Sequence, residues 1–335
     1  MLTLFRRGRY LAWVPPKEVN SSSKLLLSAL LSTINTPYPI TSSTNESKKH
    51  PPPIQVLQTE SAGRGVYATR NIEAGELIHT AKPIVSHPSL SSFSTVCYLC
   101  LKKLPNANKQ PSEAQSIAFC SEDCKREAKV FYEVEKQVDW SAYEDYCRCQ
   151  GLKYPLLVKR LACMVIHGAS SPNKLDILQP AKLSPDMVLQ MEKELDLLRN
   201  TFKIAGFTDE VTSFLTKQWY VDALARIRIN AFRIELVGAY EDLLLSAGAL
   251  VEAEAAVGNA IYLLPSLYNH DCDPNAHIVW IENVNARVKA LREIETGEEL
   301  RICYIDASMN RDARQHILSH GYGFECSCFR CLSDD

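Results

Sequence analysis

Asn269-His270-Asp271-Cys272-Asp273-Pro274-Asn275 decides the fold, together with the end of the chain, Cys326-Ser327-Cys328-Phe329-Arg330-Cys331. Three thiols within six residues cannot fill a tetrahedral zinc site alone, so a fourth soft ligand must come from elsewhere. Cys272 is the best candidate. A chance cluster of reduced surface thiols is the competing reading, but Cys-x-Cys-x-x-Cys at a polar terminus is hard to explain as core. Zinc is therefore expected on Cys272, Cys326, Cys328 and Cys331, which folds the tail back onto the 269–275 segment.

A second cluster lies upstream, Cys97-x-x-Cys100 with Cys120-x-x-x-Cys124. Two closely spaced pairs fit a structural four-cysteine zinc site. A redox Cys-x-x-Cys would not need the second pair, and no βαβ pattern surrounds this one. Four further cysteines remain, and Cys163, inside an apolar helical pattern, reads as core.

Outward from the clusters, Ile54–Leu57, Gly65–Ala68 and Glu76–His79 read as short strands, with a turn at Glu73-Ala74-Gly75. The stretch from about 125 to 258 is mostly helical in pattern, with apolar residues at three- and four-residue spacing over Tyr154–His167, Asp186–Thr201 and Glu210–Phe232. Strand patterns return at His277–Ile281, Arg287–Leu291 and Glu299–Ile305. This order predicts one β-fold interrupted by a zinc module and a long helical insertion. Gly63-Arg64-Gly65-Val66-Tyr67-Ala68 formally matches a dinucleotide fingerprint, but a strand follows it instead of a helix and residues 80–96 contain no acid. We reject that reading; the glycines still allow a polar ligand to approach the backbone.

Composition narrows the function. The chain is 46% apolar and 23% charged, and its longest apolar run, Leu25–Leu31, is far short of the ~18 residues a membrane span needs. A soluble protein with no membrane partner is expected. Residues 1–50 carry seven basic residues against Glu18 and Glu46, and are dense in serine and threonine. That composition reads as a mitochondrial or plastid transit segment, or else as a tail without an address. The remainder holds 30 basic and 37 acidic residues, a net charge of −7. This argues against direct nucleic-acid binding and is compatible with a lysine-rich substrate.

Taken together, these segments resemble the SET-domain protein-lysine methyltransferases. Gly63 to Ala68 followed by Gly75-Glu76 looks like the family's opening motif, and Asn269 to Asn275 matches its Asn-His-x-Cys-x-Pro-Asn signature. Gly297-Glu298-Glu299-Leu300 with Tyr304 matches its catalytic-tyrosine motif, and Tyr322-Gly323-Phe324-Glu325-Cys326 opens a post-SET tail. The split arrangement is similar to the SET-and-MYND subgroup and to plant trithorax-related SET proteins. The chain keeps only the four cysteines of a first MYND site; the second Cys-x-x-Cys and the terminal His-x-x-x-Cys are absent.

The resemblance implies an α+β SET-type fold. It would comprise SET parts at 54–90 and 259–306, a MYND-like zinc module at 97–124, a helical insert at 125–258 and a post-SET tail at 320–335, after a transit or disordered segment at 1–50. It implies S-adenosylmethionine as methyl donor and a lysine-containing protein as substrate, a histone among the candidates. Gly63, Arg64, Gly65, Asn230, Asn269 and His270 would contact the donor, as would Tyr304, Tyr322 and Phe324, which also close the site. Tyr304 is the expected catalytic hydroxyl, assisted by Tyr322. Family analogy favours the nucleus and a role in chromatin, whereas the N-terminal composition favours an organelle. An inactive, zinc-stabilised binding scaffold is the alternative of a different class.

Overall fold

The computed structural model describes residues 51–59, 62–105, 117–237 and 256–333. The expected transit segment lies outside the described residues.

Three small sheets carry the β-fold. Strands β1 (Ile54–Gln58) and β2 (Arg64–Ala68) form an antiparallel hairpin, and β3 (Leu77–Ala81) and β4 (Val85–Pro88) follow. After the helical insert come β5 (Ala231–Ile234), β6 (Gly258–Ile261), β7 (Asn269–His270), β8 (Ala276–Val279), β9 (Ala286–Ala290) and β10 (Glu299–Ile302). The sheet orders are β1-β2-β10-β7, β3-β9-β8 and β4-β6-β5, so every sheet joins strands from both sides of the insert. The interrupted β-fold read from the sequence is the observed one. Alternation places the strands: in β9, Ala286, Val288 and Ala290 are buried while Arg287 and Lys289 lie between them on the other face. Val288 and Ala290 join Val66, Ile78, Leu300 and Ile302 in one core of the β-fold, and Ala286 joins Ala260 and Tyr262 in a neighbouring one.

The insert packs α1 (Glu122–Glu127), α2 (Lys129–Glu135), α3 (Ser141–Cys149), α4 (Tyr154–Ile166), α5 (Pro185–Ile204) and α6 (Lys217–Asn230) around a second core. Helix α4 is at its centre, buried from Pro155 through Cys163, including Lys159 and Arg160. Buried charge is tolerated only when paired. Lys159 Nζ meets Glu144 Oε1 at 3.0 Å, and Arg160 Nε meets Glu135 Oε1 at 3.2 Å. Arg160 also donates to the carbonyls of Ser86 at 2.6 Å and Tyr98 at 3.0 Å. One guanidinium therefore ties α4 to strand β4 and to the upstream cysteine module. None of the described helices is long and apolar enough to cross a membrane.

Two boundaries differ from the sequence reading. The third predicted helix starts at Lys217 instead of Glu210, because the Thr216 side chain accepts from Trp219 N at 3.1 Å and sets the N-cap there. It ends at Asn230, and Ala231–Ile234 becomes a strand paired with Gly258–Ile261, so the β-fold resumes before the predicted boundary.

Candidate active site and two cysteine centres

The 269–275 segment reaches its place through parallel pairing of β7 with β10, Asn269 opposite Arg301 and His270 opposite Ile302. Asn275 locks the segment: its Nδ2 donates to Glu299 O at 2.9 Å and its Oδ1 accepts from Arg301 N at 2.8 Å. Asn269 Nδ2 then donates to Arg64 O at 3.1 Å and to Glu299 Oε1 at 2.7 Å. The opening glycine motif and the Asn-His motif are thus in direct contact.

Gly63 sits at φ +75°, a left-handed conformation that favours glycine. A Cβ on Gly65 would lie 2.5 Å from Glu299 Oε1 and 2.9 Å from the Thr59 side chain, so no side chain fits there. The backbone cradle at Gly63 is one a polar ligand can approach, whereas at Gly65 the Glu299 carboxylate already fills the space a side chain would take. A loop of the insert forms its wall. Arg64 Nη2 donates to Ile177 O, and Asn230 Nδ2 donates to Gln179 O at 2.9 Å and Arg226 O at 2.7 Å. The Gln179 amide lies 3.5 Å from where a Gly63 Cβ would be. Sequence reasoning did not single out Gln179; it belongs to no motif, and only the fold brings it to the cradle.

His270 is 8% exposed, and burial pushes its imidazole down to about 4, so the ring is neutral at physiological pH. Its Nδ1 accepts from Tyr304 N at 3.0 Å and its Nε2 faces Cys272 Sγ at 3.3 Å. Tyr304 follows β10, and its hydroxyl donates to Tyr268 O at 2.6 Å. Burial, then the neighbouring Tyr322, raises the Tyr304 phenol, so it stays a protonated donor. The tail covers this site. Helix α7 (Arg311–Ile317) runs into a π turn at Leu318–Tyr322, and Tyr322 OH donates to Tyr304 O at 3.3 Å. The rings of Tyr304 and Tyr322 stand 5.1 Å apart, and Phe324 lies 6.4 Å from Tyr304 and 6.0 Å from His270. The rings of Tyr304, Tyr322, Phe324 and His270 thus form one aromatic cluster, open to solvent at Phe324, a setting that favours an uncharged or soft-cationic guest.

Cys272, Cys326, Cys328 and Cys331 converge, all buried, with sulfurs within 4.8 Å of one another; Cys97, Cys100, Cys120 and Cys124 form a second such group. Each set of four thiols fits a tetrahedral soft metal by donor chemistry and number. Around the first group, Gln315 clamps the Cys326 backbone by accepting at 2.9 Å and donating at 2.6 Å. Arg330 donates to Cys272 O at 3.1 Å, and the fully buried Arg314 donates to Cys331 Sγ at 3.8 Å. Short helix α8 (Phe329–Leu332) closes the tail. Two open cavities, of about 330 and 190 Å³, lie in the insert, lined by residues such as Trp219 and Arg226 or Met187 and Glu194. Neither includes a motif residue.

The SET-domain family profile matches residues 63–305, well over half of the chain. The chain belongs to the SET-domain family. This SET-domain protein is 56% identical over 312 residues to the histone-lysine N-methyltransferase ATXR4 of Arabidopsis thaliana, covering 91% of this chain and 95% of that one. It is 26% identical to a SET and MYND domain-containing protein of Dictyostelium discoideum, covering 77% of each. It is 27% identical to the human histone-lysine N-methyltransferase SMYD3, covering 84% of this chain and 62% of that one. The SET-domain match spans both halves of the β-fold and the insert between them.

Proposed function

We propose that the chain is a protein-lysine methyltransferase that uses S-adenosylmethionine, with zinc in both cysteine centres. The observation that carries this reading is the clustering of the Tyr304, Tyr322 and Phe324 rings with His270, on an Asn-His motif that contacts the Gly63-Arg64-Gly65 turn. When bound in that cradle, S-adenosylmethionine supplies an electrophilic methyl group on a sulfonium. Backbone at Gly63 and His270, the Gln179 amide and the Asn269 side chain are the groups that would hold it.

The chain's own residues supply position and dryness. A lysine amine has a reference pKa of ~10.4 and must be uncharged to attack carbon. An aromatic enclosure disfavours the ammonium, because burial lowers an amine's pKa. The Tyr304 hydroxyl, fixed by the Tyr268 carbonyl, orients the entering amine, and Tyr322 and Phe324 exclude water and hold the approach in line. No strong base lies among these groups; the amine gives its proton to solvent water as it enters, before the rings enclose it.

The names of the relatives favour a histone lysine as substrate and a role in chromatin, whereas the basic, serine-rich residues 1–50 favour an organellar protein. Labelled-methyl transfer onto nuclear and organellar extracts separates these, and imaging a full-length fusion against one lacking residues 1–50 reads the address. Tyr304→Phe tests the chemistry. Turnover at saturating donor should fall by ~100-fold, the scale of losing one preorganised donor, with donor affinity by calorimetry unchanged. Unchanged turnover, or no donor binding by the unaltered chain, would overturn the reading.

A further inference from the structure

We infer that His270 is a positioning residue that transmits the state of the tail cysteine centre to Tyr304. The inference rests on the preceding reading, in which that centre holds zinc and Tyr304 serves methyl transfer.

The argument is geometric. Tyr304 N–H can only donate, and it donates to His270 Nδ1 at 3.0 Å. Nδ1 is therefore the unprotonated nitrogen, and the ring hydrogen of a neutral imidazole sits on Nε2. That hydrogen faces Cys272 Sγ at 3.3 Å, so the sulfur must accept, as a metal-bound thiolate does strongly. Cys272 in turn lies 3.6 Å from Cys331 and 3.9 Å from Cys326. One buried ring thus bridges a four-cysteine centre and the backbone of the proposed catalytic residue. A hydrogen bond from a side chain to a metal-bound atom fixes tautomer and orientation, and such partners commonly govern activity without touching the metal. Tyr304 is held at three points: its N–H by His270, its hydroxyl by Tyr268 O and its carbonyl by Tyr322 OH. The tail supplies the third hold directly, and Cys272 supplies the first through the imidazole. Loss of metal would release both. The ring's place in the Asn-His motif points to the donor, whereas its side-chain bonds point to sulfur and to Tyr304.

The test uses the full zinc-loaded chain. In nitrogen-labelled protein, long-range proton–nitrogen NMR should show His270 as the Nε2–H tautomer. Cadmium-113 replacing zinc should show coupling across the sulfur to that hydrogen. Stripping the metal should abolish the exchange protection of the Tyr304 amide. An Nδ1–H or averaged tautomer, no coupling, or a Tyr304 amide indifferent to metal would each overturn the inference. Two variants divide the bridge: His270→Asn can keep the bond to Tyr304 N, and His270→Gln can keep the bond to Cys272. Both should lower turnover at saturating donor by ~10–100-fold, the range for outer-shell partners, with two zincs retained. If only donor affinity falls, His270 is a donor contact and the inference fails. The NMR readouts need no turnover, so a chain that transferred no methyl would sink the functional reading and leave the link standing.

Discussion

The two cysteine centres share donor set and number yet differ in what surrounds them. Cys97, Cys100, Cys120 and Cys124 run from buried to exposed, whereas Cys272, Cys326, Cys328 and Cys331 are all buried. In the upstream group the thiols act on one another: the hydrogen bond with Cys100 draws Cys97 down to about 4, while Cys100 itself is pushed up. The tail thiols act on one another too, Cys272 and Cys326 being pushed up by burial and by neighbouring sulfurs. There a guanidinium joins in: burial pushes Cys331 up, but Arg314 with the neighbouring sulfurs outweighs it and holds the thiol below its ordinary value. The upstream centre is fastened to the insert through Arg160 and the Tyr98 carbonyl. The tail centre is fastened to His270 and, through it, to Tyr304. Identical ligand chemistry thus serves scaffolding in one place and site assembly in the other, and the difference lies in the second layer of contacts.

The largest effect should separate the two centres outright. Cys328→Ser and Cys120→Ser should each leave one zinc per chain by mass spectrometry in place of two. Cys328→Ser should lose ~100-fold or more of methyl transfer, since misplacing a positioned group by about an ångström costs that much. Cys120→Ser should keep transfer within a few-fold while lowering thermal stability. Equal losses of transfer would erase the distinction.

Acid provides the next test, because it strips thiolates and also charges buried imidazoles. His79 is 8% exposed, bonded to Tyr268 OH at 2.9 Å, and burial lowers its pKa from 6.5 to about 4. Below pH 6.5 the unfolded chain binds a proton that the folded one refuses. Stability is therefore full above 6.5, declines as pH falls, and levels off below about 4. At ~1.4 kcal/mol per pH unit the loss is on the order of 3 kcal/mol. Denaturant titrations from pH 7 to 4 should show this slope, and His79→Gln should remove its share; the residual slope belongs to the other buried imidazoles, His87 and His270, and to the cysteine centres.

Arg314→Met probes the counter-charge. Four thiolates on a divalent ion carry net negative charge, and a buried guanidinium beside Cys331 offsets part of it. Zinc retention against a chelator should fall by ~10-fold at the tail centre, with no change upstream.

How much of this was legible follows from the range of the interactions. The pairing of Cys272 with Cys326, Cys328 and Cys331 could be read because three thiols lack a fourth, a chemical deficit visible without a fold. The strands and the Asn269–Asn275 segment were legible from local alternation and motif. Gln179 was not, because the contact of Arg64 with Ile177 spans 113 positions and no periodicity marks it. The Arg160 hub read only as part of an apolar helix, and His79 only as the end of a strand with nothing to link it to Tyr268. Glu210–Thr216 looked helical because apolar spacing does not register where a capping threonine restarts the chain.

The smallest test compares the helices that serve the centres. Ser121 Oγ accepts from Cys124 N at 3.1 Å and caps the helix carrying Cys124; Asn310 Oδ1 accepts from Ala313 N at 2.9 Å and caps the helix carrying Arg314. Replacing either with alanine should cost ~1 kcal/mol. The upstream cap serves a ligand-bearing turn, so bound zinc restrains the same backbone that Ser121 orders. Ser121→Ala should therefore lower stability more in chelator than with zinc. The downstream cap orders a helix that carries the counter-charge and no ligand, so Asn310→Ala should show nearly the same deficit in both conditions. Melting curves of both variants with and without chelator decide this. A zinc-dependent deficit for Asn310→Ala would mean that the tail metal organises α7 as well, and that the scaffold around it is less independent than its hydrogen bonds imply.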